Sequence, residues 1–314
     1  MKTLVTGGAG FIGSHLCQRL LEDGHAVTCV DNLITGNREN VAHLLNDPQF
    51  QFIEHDVTKA MDIEVDAIFH LASPASPPGY LQFPVQTALA NSLGTYNLLE
   101  LARRYGAKFL LASTSEAYGD PLEHPQREDY WGNVNPIGVR SCYDESKRFA
   151  ESLTITFTRH YGLDARIVRI FNTYGPHSDP NDGRLIPNFV TQALKGEPIT
   201  VYDTGRQTRS LCYVKDLVEG IIRAMFFEGT NREVFNLGMP DERSVLEYAQ
   251  IIKRLVPSDS PIKFVPPISE DDPAKRCPDI TKARQRLKWE PKVGLDEGLQ
   301  LTIEWFRKKL NLQG

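Results

Sequence analysis

Tyr143-Asp144-Glu145-Ser146-Lys147 is the one stretch of this 314-residue chain that offers an activated proton acceptor. Four residues apart on a helix, Tyr143 and Lys147 share a face, which sets an ammonium beside a phenol. A free tyrosine ionises near pH 10, so holding it as phenolate at neutral pH costs roughly 4 kcal/mol. A neighbouring cation supplies much of that shift. A phenolate poised in this way takes the proton from a hydroxyl while the carbon beneath it is oxidised. Taken alone, the pair is equally readable as a helix-surface contact with no chemistry, so the surrounding elements must decide.

The N-terminus supplies a place for the electron acceptor that such a reaction needs. An apolar run over residues 2–6 leads into Gly7-Gly8-Ala9-Gly10-Phe11-Ile12-Gly13 and then a helical pattern through Leu16, Leu20 and Leu21. Gly7, Gly10 and Gly13 let the backbone turn sharply and approach a pyrophosphate, whose charge rests against the N-terminal amides of the helix. A second strand over residues 26–30 ends in Asp31. A carboxylate there accepts both adenosine ribose hydroxyls and repels a 2′-phosphate, so NAD is expected rather than NADP. Asp56, at the end of a third strand, suits either the adenine amino group or a plain turn cap.

Strands over residues 50–54, 67–72, 108–115 and 166–171 continue the alternation with helices over 84–105 and from 143 onward. That order predicts an α/β fold with a doubly wound parallel sheet, the Rossmann arrangement, over residues 1–175. The proline-rich stretch Pro74 to Tyr80 is expected to be a loop above the strand ends, where ligands bind in such sheets. Beyond Pro176, helices over 184–195, 214–227, 243–255 and 295–308 and strands over 199–202, 211–214 and 261–265 suggest a smaller mixed α/β substrate domain, 176–314, with some interleaving of segments. Arg184, Arg209 and Arg276 fall here, and guanidinium groups clamp a diphosphate bidentately, although each taken singly also reads as a surface charge.

A formal net charge of −5 with scattered Lys and Arg gives no footprint for nucleic acid. Five single cysteines without a Cys-x-x-Cys motif point to reduced thiols in the cytoplasm and to no metal site. The first residues carry no apolar leader, and nothing later approaches a membrane span.

Gly7-x-x-Gly10-x-x-Gly13, Asp31, Thr114, Tyr143-x-x-x-Lys147 and Asn172 together resemble the extended short-chain dehydrogenase/reductases that act on nucleotide sugars, over nearly the whole chain. Within that family the sequence is most similar to the UDP-glucuronic acid decarboxylases. The similarity lies in His70-Leu71-Ala72-Ser73-Pro74-Ala75-Ser76-Pro77-Pro78, Ala112 to Glu116, Asp129-Tyr130-Trp131-Gly132, Asn135 to Gly138, Arg140 to Tyr143 and Asp271-Asp272-Pro273. The resemblance implies tightly bound NAD, C4 oxidation of UDP-glucuronate, loss of the C6 carboxylate β to the new ketone, and re-reduction to UDP-xylose. It implies Tyr143 as proton acceptor, Lys147 as the group that lowers its pKa and holds the nicotinamide ribose, and Thr114 on the C4 oxygen. Glu116 and Arg276 would serve the carboxyl region and the enolate, with Ser115 as a proton donor.

The cofactor would further touch Phe11, Ile12, Asn32, Thr35, Gly36, Val57, Leu71, Ala72, Ser73 and Thr173. The UDP-sugar would touch Tyr80, Asn172, Arg184, Asn188, Tyr202 and Arg209. A homodimer is implied, pairing helices equivalent to 84–105 and 143–161. A serine at 115 is a far poorer acid than the aspartate of dTDP-glucose 4,6-dehydratases. Asp31 disfavours the NADP-preferring GDP-mannose dehydratases. A 4-epimerase needs the same oxidation but has no evident use for Glu116 and Arg276, and a pure binding protein has none for Tyr143 and Lys147. Leu89-Ala90 replaces a Lys-Thr pair usual in the decarboxylases, and Leu211 replaces a phenylalanine.

Overall fold

The computed structural model describes residues 1–266 and 275–312, so the Asp271-Asp272-Pro273 segment lies outside the described residues. Its centre is a parallel sheet that includes β1 (Lys2–Thr6), β2 (Ala26–Asp31), β3 (Phe50–Glu54), β4 (Ala67–His70), β5 (Lys108–Thr114) and β6 (Ala165–Ile170). The strands β7 (Thr173–Tyr174), β8 (Ile199–Tyr202), β9 (Thr208–Ser210) and β10 (Cys212–Tyr213) follow outside it. β11 (Val234–Leu237) then returns to pair with β6, giving the order β11-β6-β5-β4-β1-β2-β3. β12 (Glu242–Ser244) pairs with β9, and β13 (Ile262–Val265) with β8.

Successive side chains of a strand point to opposite faces, and the two apolar clusters follow that alternation. Val5, Phe69, Leu110 and Val168 pack on one face with α1 (Phe11–Glu22) and with later helices. Leu4, Ile68, Phe109, Leu111 and Ile167 pack on the other. Covering both faces is what lets these strands be near-continuous apolar runs.

The stretch Pro74 to Tyr80 is not wholly loop. Residues Pro77–Gln82 form a short helix, α2, because Ser76 caps it by accepting the Gly79 amide at 3.3 Å and the prolines occupy the first turn, where a missing N–H breaks no bond. The helix expected over 84–105 is α3 (Pro84–Leu89) and α4 (Thr95–Tyr105) joined by a π turn at Ala90–Gly94. Asn91, in that turn, donates to Ser73 Oγ at 3.1 Å and Ser146 Oγ at 3.0 Å, tying it to α5 (Ser141–Tyr161). α4 and α5 cover the second face of the sheet, and α3 packs against α5.

The later helices α6 (Leu185–Lys195), α7 (Val214–Phe226), α8 (Val245–Leu255) and α9 (Leu295–Lys309) fall where the sequence pattern places them. α7 returns to the first face of the sheet beside α1, while Phe189, Tyr248, Ile252, Leu299 and Phe306 extend the same apolar cluster into the second half of the chain. Among the described residues, no helix is long and apolar enough to cross a membrane.

A buried polar chain joins these layers. Arg169 on β6 makes a bidentate pair with Glu151 of α5, at 2.9 and 2.7 Å, and Glu151 also accepts from Ser113 of β5. Arg169 lies over the Tyr118 ring, whose hydroxyl donates to Asn236 of β11 at 2.7 Å. The Asn236 amide donates in turn to the carbonyls of Gln126 and Asp279. Removing one partner of a buried ion pair strands the other charge. Arg169→Leu is therefore expected to lose roughly 3–5 kcal/mol of stability, read as a lower urea midpoint, with Arg169→Leu/Glu151→Leu recovering part of that loss; equal midpoints for wild type and single variant would refute this role.

Candidate active site

Because every strand of the sheet runs parallel, the C-terminal ends of β1, β2, β4, β5 and β6 meet along one edge. At that edge Gly7 has φ +70°, and a Cβ on it would lie 2.8 Å from the Ala72 nitrogen, so only glycine lets the turn after β1 press against Leu71-Ala72 after β4. A Cβ on Gly13 would collide with the Gly7 carbonyl oxygen. Gly10 differs: its Cβ would meet just that oxygen, at 3.1 Å, and otherwise faces open space. α1 starts there with no side-chain cap, leaving the amides of Phe11, Ile12 and Gly13 at an open helix N-terminus suited to a pyrophosphate.

Asp31 closes the other side of the cradle. It is 7% exposed and accepts the Ala9 amide at 3.0 Å and the Leu33 amide at 2.8 Å, one on each oxygen. Burial pushes its carboxyl up and the two amides pull it back. Each oxygen keeps a lone pair for a ribose hydroxyl, and Gly36 sits against the carboxylate, 2.6 Å from where its Cβ would lie. Asn32 donates to Asp56 at 3.2 Å, while Asp56 also accepts the amide and hydroxyl of Thr58. Val57 packs under Gly94, and Thr35 lies beside Gly79 of α2. Ser73 is held by Asn91, and the Thr173 hydroxyl donates to the Phe171 carbonyl at 2.9 Å. This donor and acceptor set fits NAD.

α5 brings Tyr143 and Lys147 to the end of β5. Tyr143 is 5% exposed, and burial drives its phenol up to about 12, against a hydrogen bond with Thr114 and the charge of Arg184, which pull it down. Glu116 and Asp144 push in the raising direction. The Lys147 ammonium lies 5.9 Å from the Tyr143 ring centre and donates to the Ala112 carbonyl at 2.8 Å; burial brings it down to about 7, with Glu151 opposing. In the protein alone, therefore, Thr114 and Arg184, more than Lys147, restrain the phenol. The Tyr80 ring stacks on Tyr143 at 5.2 Å and 9°.

Thr114 ends β5 and caps the short 3-10 turn Ser115–Tyr118 by accepting the Glu116 amide, so the β5 terminus delivers Thr114, buried Ser115 and Glu116 in succession. Arg276 grips Glu116 with both terminal nitrogens, Nη2 at 2.8 Å, and Arg140 bonds the same carboxylate. Arg276 is thus committed to a carboxylate beside Tyr143. Arg184 forms its own bidentate pair with Asp182, and Asn188, one turn into α6, donates to the Gly183 carbonyl. Asn172 lies after β6, where its carbonyl accepts the Cys212 amide. Tyr202 ends β8, and Arg209 in β9 donates to the Thr208 carbonyl at 2.8 Å. The structure brings Thr114, Glu116, Tyr143, Lys147, Arg184 and Arg276 into one group; Asn188, Tyr202 and Arg209 stand on the neighbouring elements of the second half.

Two members of the group were not singled out from the sequence. Arg140 and Asp144 flank Tyr143 and lie 3.7 Å apart across one helical turn, an i, i+4 spacing visible in the sequence. Their relevance depends on Glu116, which no local pattern places beside them.

A sequence model of the NAD dependent epimerase/dehydratase family matches residues 3–238. The chain is 53% identical over 312 residues to UDP-glucuronic acid decarboxylase 1 of Danio rerio, covering 99% of this chain and 74% of that protein. It is 55% identical over 310 residues to UDP-glucuronic acid decarboxylase 4 of Arabidopsis thaliana, covering 99% of this chain and 69% of that one. The crystal structure of UDP-glucose 4-epimerase from Thermotoga maritima with UDP-glucose superposes with a TM-score of 0.89 at 34% identity, covering 99% of this chain and all of that one. With its glycine cradle, Asp31 and buried Tyr143 and Lys147 on a doubly wound sheet, the chain belongs to the NAD dependent epimerase/dehydratase family.

Proposed function

We propose that this enzyme is a UDP-glucuronic acid decarboxylase, converting UDP-glucuronic acid to UDP-xylose and carbon dioxide with NAD recycled in each turnover. The observation that carries the reading is the carboxylate of Glu116, gripped by Arg276 and Arg140 beside the Tyr143 phenol. A sugar that is only oxidised and re-reduced at C4 has no need of such a charged cluster. The decarboxylases of zebrafish and Arabidopsis, at 53–55% identity, support the same choice.

NAD, when bound, supplies the reversible two-electron oxidation of the sugar at C4. Gly7, Gly10, Gly13, Phe11, Ile12 and Asp31 would hold it, with Asn32, Thr35, Gly36, Asp56, Val57, Leu71 to Ser73 and Thr173 around them. Thr114 orients the C4 hydroxyl and Tyr143 takes its proton. Lys147 lies 5.9 Å from the Tyr143 ring centre, where its charged form favours ionisation of the phenol that burial holds up at about 12, and bound NAD would add positive charge there. Once C4 is a ketone, the C6 carboxylate is β to it and leaves as carbon dioxide. Arg276 and Glu116 steady the departing group and the enolate, with Ser115 close by. Tyr143 returns its proton as C4 is reduced. Tyr80, Asn172, Arg184, Asn188, Tyr202 and Arg209 hold the UDP-sugar.

We also read residues 1–175 as the NAD-binding domain and 176–314 as the nucleotide-sugar domain, with interleaving that β11 in the central sheet supports. The five free thiols suit the reducing cytoplasm. Val85, Leu89, Leu93 and Tyr96 expose an apolar stripe along α3 and α4, next to exposed Phe149 on α5. Such a stripe suits pairing with a second copy.

Incubating the protein with UDP-glucuronic acid and NAD is expected to give a product lighter by one carbon dioxide; an isomer of unchanged mass would replace the reading with 4-epimerisation, and no change would overturn it. Tyr143→Phe is expected to lower turnover by roughly 10²–10⁴-fold while UDP binding stays near normal by calorimetry; retained turnover would remove Tyr143 as the base. Val85→Glu/Phe149→Glu is expected to turn a dimer into a monomer in light scattering, and a monomeric wild type would exclude this pairing.

A further inference from the structure

Asp144 stands one residue after the proposed base and is 7% exposed. Its Oδ2 lies 3.7 Å from Arg140 Nε, beyond hydrogen-bond length, and its Oδ1 is buried without a hydrogen-bond partner among the described residues. Arg140 pairs with it at that distance without a hydrogen bond, and Arg140 and Arg276 both hydrogen-bond Glu116. Among the described residues, the groups facing Asp144 are Glu116 after β5, Arg140 in the loop before α5, Arg276 from the second half, Tyr80 of α2, and Cys142, Tyr143 and Glu145 of α5 itself. Burial is the largest influence on its carboxyl and Glu116 the next, both raising it, against Arg140 and Arg276; the balance leaves it raised to about 7. Two carboxyl groups at one buried site do not both ionise freely.

The reaction has a matching proton demand. Loss of carbon dioxide breaks the C5–C6 bond, leaves the electron pair on C5, and ends with a proton on that carbon. The electrons withdrawn at C4 are returned there, so each turnover of a sugar carboxylate consumes one proton and leaves NAD unchanged.

Resting on the decarboxylase reading, we propose that Asp144 is a positioning residue that takes up a proton when a carboxylate-bearing UDP-sugar binds. The incoming C6 carboxylate adds negative charge beside Glu116, and Asp144 answers by becoming neutral. It thereby leaves Arg140 and Arg276 to Glu116 and the substrate, and the site enters the reaction already holding the proton that decarboxylation will consume. UDP-xylose lacks the carboxylate and binds without this uptake, so falling pH strengthens retention of substrate relative to product.

The test uses the NAD-loaded Tyr143→Phe variant, which binds UDP-glucuronic acid without consuming it, in calorimetry with buffers of different ionisation enthalpy near pH 8. UDP-glucuronic acid is expected to take up on the order of half a proton, and UDP-xylose close to none. Its affinity is expected to fall by up to about tenfold per pH unit above neutrality, a slope that Asp144→Asn in the same background flattens. The folding check follows from the sign of the shift. A carboxyl raised in the folded state loses its stabilising contribution as pH climbs through about 7, so Asp144→Asn should melt no lower than wild type at alkaline pH. Equal uptake for the two ligands, or uptake that survives Asp144→Asn, overturns the role of Asp144 and leaves the decarboxylase reading standing. Failure of UDP-glucuronic acid to bind where UDP-xylose binds overturns both.

Discussion

The buried bond from the Lys147 ammonium to the Ala112 carbonyl, 2.8 Å long, fixes α5 against the end of β5, and the site is laid out from it. One turn earlier on the same helix, Tyr143 meets Thr114; one turn later, Glu151 meets Ser113 and Arg169. Three successive turns of one helix are thus registered against three consecutive residues of one strand. A slip of either element would move the phenol off the sheet edge and break a buried ion pair in the same motion. The polar chain continues through Tyr118 and Asn236 to Gln126, whose side-chain oxygen accepts the Cys277 amide at 2.9 Å and so anchors the residue next to Arg276.

The same burial sets the electrostatics. It drives Tyr143 and Lys147 toward their neutral forms, and it withholds from Asp144 the ionisation that an exposed aspartate has at neutral pH. Glu116 is held by two guanidinium partners. On the proposed function, a bound oxidised dinucleotide would add positive charge near the phenol, alongside Arg184, and favour its ionisation.

Much of this was legible in the chain. The glycine spacing, Asp31 at a strand end and the Tyr143–Lys147 interval are local signals, each tied to one turn, one strand or one helical face, and the helices of the second half follow their apolar periodicity. What local pattern missed came from distant partners or special backbone. β11 is only four residues with a polar Asn236 in its middle, and it becomes a strand by pairing with β6, far earlier in the chain, while Asn236 finds its partners in Glu128, Gln126 and Asp279. α2 was hidden by prolines that are harmless in a first turn, and the π turn at Ala90–Gly94 by a composition that is helical throughout. The Glu116–Arg276 pair joins residues 160 apart, and no spacing rule reaches that far.

The late return of β11 has a consequence for how the polypeptide is made. β6 ends at Ile170, yet its outer neighbour begins at Val234, after α6, α7 and several short strands. At roughly 5–20 residues per second, a ribosome leaves the hydrogen-bonding rim of β6 bare for several seconds while the intervening segment is synthesised. An unpaired strand rim is a template for wrong partners. Nascent chains of this protein are accordingly most exposed to misassociation in the interval between the appearance of α5 and the closure of its sheet.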